Sequence, residues 1–211
     1  IMKKAVIVSA KRTAIGSFNG ALAAYSSAQL GSFAIKSILE DSKIDPTIID
    51  EVIMGNVLMA GQGQAPGRQA ALYAGLSEKT ECLTINKMCG SGLKSVMLAQ
   101  QAIALGDTEI VIAGGQESMT NAPYLLSNAR NGYRLGNGEL KDSIIIDGLW
   151  DVYNNIHMGS CAESCARDFS FTREELDNFA IESYKRANEA VNSGRFDDEI
   201  YPIKQTTKSG E

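Results

Sequence analysis

Residues 86–107, from Asn86 to Asp107, read NKMCGSGLKSVMLAQQAIALGD. A cysteine, Cys89, stands directly before Gly90-Ser91-Gly92, and a long apolar segment follows. Two glycines beside a thiol mark a place where the backbone bends sharply or is closely approached. From Gly90 to Leu105 the only charged residue is Lys94. Leu93, Val96, Met97, Ile103 and Ala104 form one stripe of a helix, and Leu98, Ala99, Ala102 and Leu105 fill much of the rest. A helix apolar nearly all round is predicted to be buried on most sides, between two sheets or between a sheet and another large body. Cys89 then occupies its leading end, where unpaired N–H groups carry the positive end of the dipole. Such ends stabilise a thiolate, which points to a nucleophile. Gly90 and Gly92 would let a substrate reach the sulfur and let backbone N–H groups face a developing oxyanion. The competing reading makes Cys89 a small buried hydrophobe whose glycines allow close packing.

The flanking sequence alternates strand and helix patterns. KAVIVS, Lys4–Ser9, reads as a buried first strand, and Arg12–Leu22 reads as a loop. Ser27–Glu40 places Leu30, Phe33, Ala34 and Ile38 at helical spacing, with Ser26 or Ser27 as cap. A strand begins near Glu51. Pro66 opens a helix that Gly75 ends, and Glu81–Ile85 is a strand. EIVIAGGQESM carries another strand, ending at Gly114-Gly115. This alternation predicts an α/β domain with a largely parallel sheet and helices on both faces. After about Asn121 the rhythm changes, and Ser127–Asp142 reads as an excursion outside the core. Helical pattern returns at CAESCARDF and at TREELDNFAIESYKRANEAVNSGRF, the latter capped by Thr172 and acidic in its first turn. DEIYPI is one more candidate strand. Ile1 ahead of Met2 makes Met2 the expected natural start, and the closing Thr-Lys-Ser-Gly-Glu reads as a cut within an exposed loop.

The 211 residues are 44% hydrophobic, enough for one sizeable core with an appendage. A net charge of −5 without basic runs gives no nucleic-acid signal. No apolar run approaches the roughly 18 residues of a membrane span, and the N-terminal one is too short for a signal peptide. The cysteines are Cys82, Cys89, Cys161 and Cys165. Without a secretory signal they suggest a reducing cytoplasm rather than disulfides. Cys161 and Cys165 share a helix face, but with one histidine in the chain, His157, a zinc site lacks ligands. Buried structural thiols are the expected alternative. GQGQAPG, Gly61–Gly67, imitates a dinucleotide loop but has the wrong glycine spacing and an interrupting Pro66, so it reads as loop and helix start.

NKMCGSGLKSV followed by AGGQESMTNAPY resembles the thiolases, the acetyl-CoA acetyltransferases. KRTAIGSFNGAL, GQGQAPGRQAALYAGL, DGLWDVYNNIHMG and NEAVNSGRFDDEIYPI extend that resemblance over essentially the whole chain. It implies an activated nucleophile at Cys89, whose own backbone N–H serves the oxyanion, and a Claisen condensation of two acetyl-CoA, or the reverse thiolysis. It implies no metal or redox cofactor; coenzyme A thioesters enter as substrates. It implies a thiolase-like half over residues 1–120 and part of an inserted, CoA-embracing loop domain over 121–211. The C-terminal half, with the base histidine and a second cysteine, is absent, so the isolated chain is expected to be inactive. That half would also cover the Cys89 helix. His157 and Met158 match positions near pantetheine and the acyl group, Leu149 matches a nearby wall, and a bulky Met158 favours short acyl chains. The resemblance further implies a cytoplasmic homodimer or homotetramer, joined through the 127–142 excursion. Taken alone, His157 would invite pairing with Cys89 as a dyad, but its neighbours supply no orienting partner. A non-catalytic CoA- or acyl-binding module and a ketoacyl synthase are the competing functions; HMG and GGQESM favour thiolase proper.

Overall fold

The computed structural model describes residues 3–205; the expectations for Ile1, Met2 and the closing stretch fall outside them. In chain order the elements are β1 (Arg12–Thr13), α1 (Ser27–Ser42), β2 (Glu51–Gly55), α2 (Pro66–Tyr73), β3 (Glu81–Ile85), α3 (Ser91–Leu105) and β4 (Val111–Gly115). Two antiparallel pairs follow, β5 (Tyr124–Leu126) with β6 (Leu140–Asp142) and β7 (Trp150–Asp151) with β8 (Ile156–His157). Then come α4 (Met158–Asp168), α5 (Arg173–Asn192) and β9 (Ile200–Tyr201), which pairs with β1 in parallel.

The central sheet has three parallel strands in the order β3-β2-β4. Its middle strand is buried on both faces, as a parallel strand with a helix layer on each side must be. Val52 and Met54 join Ile35 of α1, Ala70 and Ala71 of α2 and Ile112 of β4 in one core cluster. Ile53, equally buried, alternates to the opposite face, where α3 lies. Ser26 is the cap of α1: its Oγ accepts from Gln29 N–H, and the Gln29 side chain returns the bond to Ser26 N–H. Ala65 at φ 46° turns the chain into α2, Pro66 takes the first helical position, and Gly75 at φ 92° follows its end.

The strand predicted over Lys4–Ser9 does not form. Val6 and Ile7 stand 72% and 80% exposed, and no ladder joins the segment to the sheet. A strand exists by pairing, and here the partner edge is out of reach. The segment and β4 are separated by a cavity of about 1010 Å³, with α1 and α3 as its other walls. Asp50 N–H to Ile110 O and Gln116 N–H to Gly55 O fix which side of β4 faces β2. Alternate residues Val111, Ala113 and Gly115 therefore turn their N–H and C=O groups to the open edge.

The apolar stripe of α3 is also not where burial was expected. Ser91, Ser95 and Ala99, four residues apart, are the buried ones, whereas Leu93 is 70% and Met97 49% exposed. Small residues face the sheet because the strand ends approach closely there. A Cβ on Gly55 would lie 2.6 Å from Ser91 Cβ, and one on Gly115 3.5 Å from Gly92 Cα. The large side chains project from the opposite side, which no element among the described residues covers.

Beyond β4 the chain is shallow. The 127–142 excursion is the arm between β5 and β6, exposed from Ser127 to Leu140. Helix α5 carries a Thr172–Glu175 capping box yet buries Ala190 alone. Helix α4 buries nothing: Cys165 is exposed and Cys161 half-exposed. The expectation of buried structural thiols there is overturned, because no second layer among the described residues packs over α4. Among the described residues, no helix is long and apolar enough to cross a membrane.

Candidate active site

The turn from β3 into α3 is built by two side chains. Asn86 Oδ1 accepts from Met88 N–H at 2.9 Å, an Asx-turn that stops the strand. Ser91 Oγ accepts from Lys87 N–H at 2.8 Å and donates to Met88 O at 2.6 Å, stapling the helix start to the turn. Between them Met88 sits at φ 48°, a left-handed conformation that a methionine adopts only under constraint. The following residue, Cys89, is thereby thrust outward as an exposed free thiol. Gly90 caps α3, which begins at Ser91, so the sulfur stands just ahead of the helix and not within it.

No side chain caps α3, and among the described residues the N–H groups of Gly92 and Leu93 find no hydrogen-bond acceptor. The local field at this end favours negative charge. Gly90 leaves open space beside the thiol, with Lys87 O 3.5 Å from a notional Cβ as its nearest neighbour. Gly92 faces the end of β4, where an added Cβ would lie 3.8 Å from Gly115 N.

The other three predicted site residues lie on one hairpin end. Trp150 pairs with His157, and the flanking Leu149 and Met158 continue from that pair. Leu149 closes a short π-helical segment, Ile144–Leu149, and His157 caps α4. His157 Nδ1 accepts from Gly159 N–H at 2.9 Å, so the neutral ring carries its proton on Nε2. Among the described residues this ring makes no hydrogen bond to Cys89. The segment leading into the hairpin faces the loop after β2 at Gly148, where a Cβ would lie 3.5 Å from Leu58 Cδ2.

Sequence reasoning missed Glu117 and Asn56. The Glu117 carboxylate accepts from Asn56 Nδ2 (2.6 Å), Val57 N–H (2.8 Å) and Leu58 N–H (3.2 Å). Burial pushes its carboxyl above the usual range, and these donors work in the opposite sense. The available signal was positional: each follows the last residues of a buried strand, where polar side chains serve the strand ends.

Residues 5–211 match the family described as thiolase, N-terminal domain. The chain belongs to the thiolase family. It is 51% identical to an acetyl-CoA acetyltransferase of Cupriavidus necator, covering 100% of this chain and 53% of that protein. An acetyl-CoA acetyltransferase of Escherichia coli is 52% identical, with 98% and 53% covered. The Acat5 thiolase of Ascaris suum, crystallised in complex with coenzyme A, superposes with a TM-score of 0.91 at 40% identity, over 95% of this chain and 52% of that one. The thiolase fold is therefore shown for this chain, which spans about half the length of the curated relatives it matches.

Proposed function

We propose that this chain is the nucleophile-bearing N-terminal part of an acetyl-CoA acetyltransferase. The observation that carries the reading is the exposed Cys89 thiol, presented by a strained turn at the open amide end of α3. The Cys89 thiolate attacks the thioester carbonyl of acetyl-CoA, and the tetrahedral oxyanion is met by the Cys89 N–H. Its collapse breaks the carbon–sulfur bond to CoA, which leaves with a proton, and forms acetyl-Cys89. A second acetyl-CoA then loses an α-proton to a base that this chain does not supply. The carbanion attacks the acetyl carbonyl, a carbon–carbon bond forms, and Cys89 departs as thiolate. Thiolysis runs the same steps backwards.

Leu149, His157 and Met158 line the acyl and pantetheine end, with His157 Nε2–H as a donor. Residues 1–120 form the catalytic half and 121–211 the CoA-embracing region. The parent enzyme is a cytoplasmic homodimer or homotetramer and needs no metal or redox cofactor. The shared name of the relatives and the coenzyme A in the Ascaris suum structure support coenzyme A thioesters as the substrates.

The test is mass spectrometry after incubation with acetyl-CoA. One acetyl group on the peptide containing Cys89, absent in Cys89→Ser, is expected, with no acetoacetyl-CoA formed by the chain alone. Coenzyme A binding without any acetyl adduct would favour a non-catalytic binding module. Steady-state thiolysis by the isolated chain, lost in Cys89→Ser, would refute its predicted incompleteness.

A further inference from the structure

The loop Asn56–Leu58 is the common support of two separate parts of the proposed site. Toward the nucleophile, Val57 O accepts from Asn86 Nδ2 at 3.4 Å, and Asn86 Oδ1 holds Met88 N–H. The same loop is tied to the end of β3 by Asn56 N–H to Ile85 O at 3.0 Å. Toward the hairpin, the Leu58 side chain faces Gly148, one residue before Leu149: its Cδ2 lies 3.5 Å from where a Cβ on that glycine would stand. Besides the bond to Ile85 O and the Ser27 Oγ–H donated to Asn56 Oδ1 at 3.3 Å, the loop is held by the half-buried Glu117 carboxylate, which takes two of its backbone N–H groups and the Asn56 side-chain amide. A carboxylate is suited to this because both oxygens accept and neither donates.

Resting on the reading of Cys89 as nucleophile, we propose that Glu117 is a positioning residue. It fixes the loop Asn56–Leu58 so that the Cys89 turn, through Asn86, and the Leu149 wall, through Gly148, keep one relative placement. Glu117 does not touch the reacting atoms. Its effect passes through Asn86 to the left-handed Met88, whose conformation aims the thiol. Glutamine at this position would turn an amide N–H₂ against a donor and loosen the loop while nearly preserving volume.

The experiment compares Glu117→Gln, Asn86→Ala and the double variant of the whole chain by two readouts. The first is hydrogen exchange over residues 86–91, with the amides of β2 and α1 as internal reference. The second is the pH profile of Cys89 alkylation by iodoacetamide, measured against the exposed Cys165 in the same molecule. Each single variant is expected to raise exchange over 86–91 about tenfold and slow Cys89 by a similar factor, the scale of one lost charge-assisted hydrogen bond. Cys165 and the β2 amides should stay unchanged. The double variant should do no more than the stronger single one, since both break one chain of contacts. Unchanged exchange over 86–91 in Glu117→Gln, or additive effects, would overturn the proposal. Should Glu117→Gln not fold, the exposed Asn86→Ala decides by the same readouts. If wild-type Cys89 reacts no faster than Cys165, the nucleophile reading fails, and the exchange data still judge Glu117.

Discussion

Helices α1 and α5 begin in the same way and end in different worlds. Each has a hydroxyl cap whose third following residue closes a capping box, Ser26 with Gln29 and Thr172 with Glu175. Yet α1 buries Ala28, Gly31, Ser32 and Ile35 against the sheet and α2, while α5 leaves Phe179, Ile181 and Tyr184 bare. The caps satisfy orphan N–H groups locally and say nothing about what covers the helix. Burial depends on whether another layer stands opposite.

The comparison can be broken most sharply in the core. Ile35 is 1% exposed, and Ile35→Ala is expected to cost about 3–4 kcal/mol in urea unfolding. Leu176→Ala on the half-exposed face of α5 should cost less than about 0.5 kcal/mol. Comparable losses would show that α5 is covered in solution. Next comes Gly55→Ala, which drives a methyl group to within 2.7 Å of the Ser91 backbone carbon and should cost about 2–3 kcal/mol. It should also disturb Cys89 alkylation, because Ser91 staples the turn. Ser26→Ala and Thr172→Ala should each cost their own helix about 1 kcal/mol, read as faster exchange in its first turn. Equal effects would confirm that capping is local; a much larger effect at Ser26 would tie the cap to tertiary packing.

The smallest expected effect concerns charge. Glu51 lies opposite Glu81 in the β2–β3 ladder; burial first, and then that neighbour, pushes its carboxyl above the ordinary range. A raised value means that the folded chain binds the proton more readily than the unfolded chain. Stability from this group is complete below its unfolded value and is lost as pH rises through its folded one. Glu51→Gln should therefore stabilise the chain at neutral pH by a few tenths of a kcal/mol. It should also flatten the gain in Tm on mild acidification. Below the ordinary carboxylate range the opposite applies: Asp50, held low by the N–H groups of Ile110 and Glu109, loses its contribution as pH falls.

How much was legible differs by element for physical reasons. β2 and β3 were read to the residue or nearly so, since short β-branched and apolar runs bounded by turn signals mark both, although only β2 is buried on both faces and β3 is a partly exposed edge strand. Lys4–Ser9 carries the same signal without becoming a strand, because a cavity holds it off the open edge of β4. The apolar character of α3 was legible, but which of its faces meets the sheet was not. Nothing in a helical period says that glycine-lined strand ends will demand serine and alanine there. At the site, the glycines around Cys89 announced a turn. Met88 as the strained residue, and Glu117 as the group bracing that turn from β4, could not be read from spacing.

Local sequence alone determined the helix caps, the strand cores, the turn at Cys89 and membership of the thiolase family, because each is written in contiguous residues whose hydrogen bonds close nearby. Only the tertiary structure decided which face of α3 meets the sheet, that β4 keeps an open edge, and that one carboxylate supports both the thiol turn and the neighbouring wall. Those outcomes rest on pairings between residues some sixty positions apart, Glu117 with Asn56 among them. Such pairings exist only once the chain has brought its strand ends together.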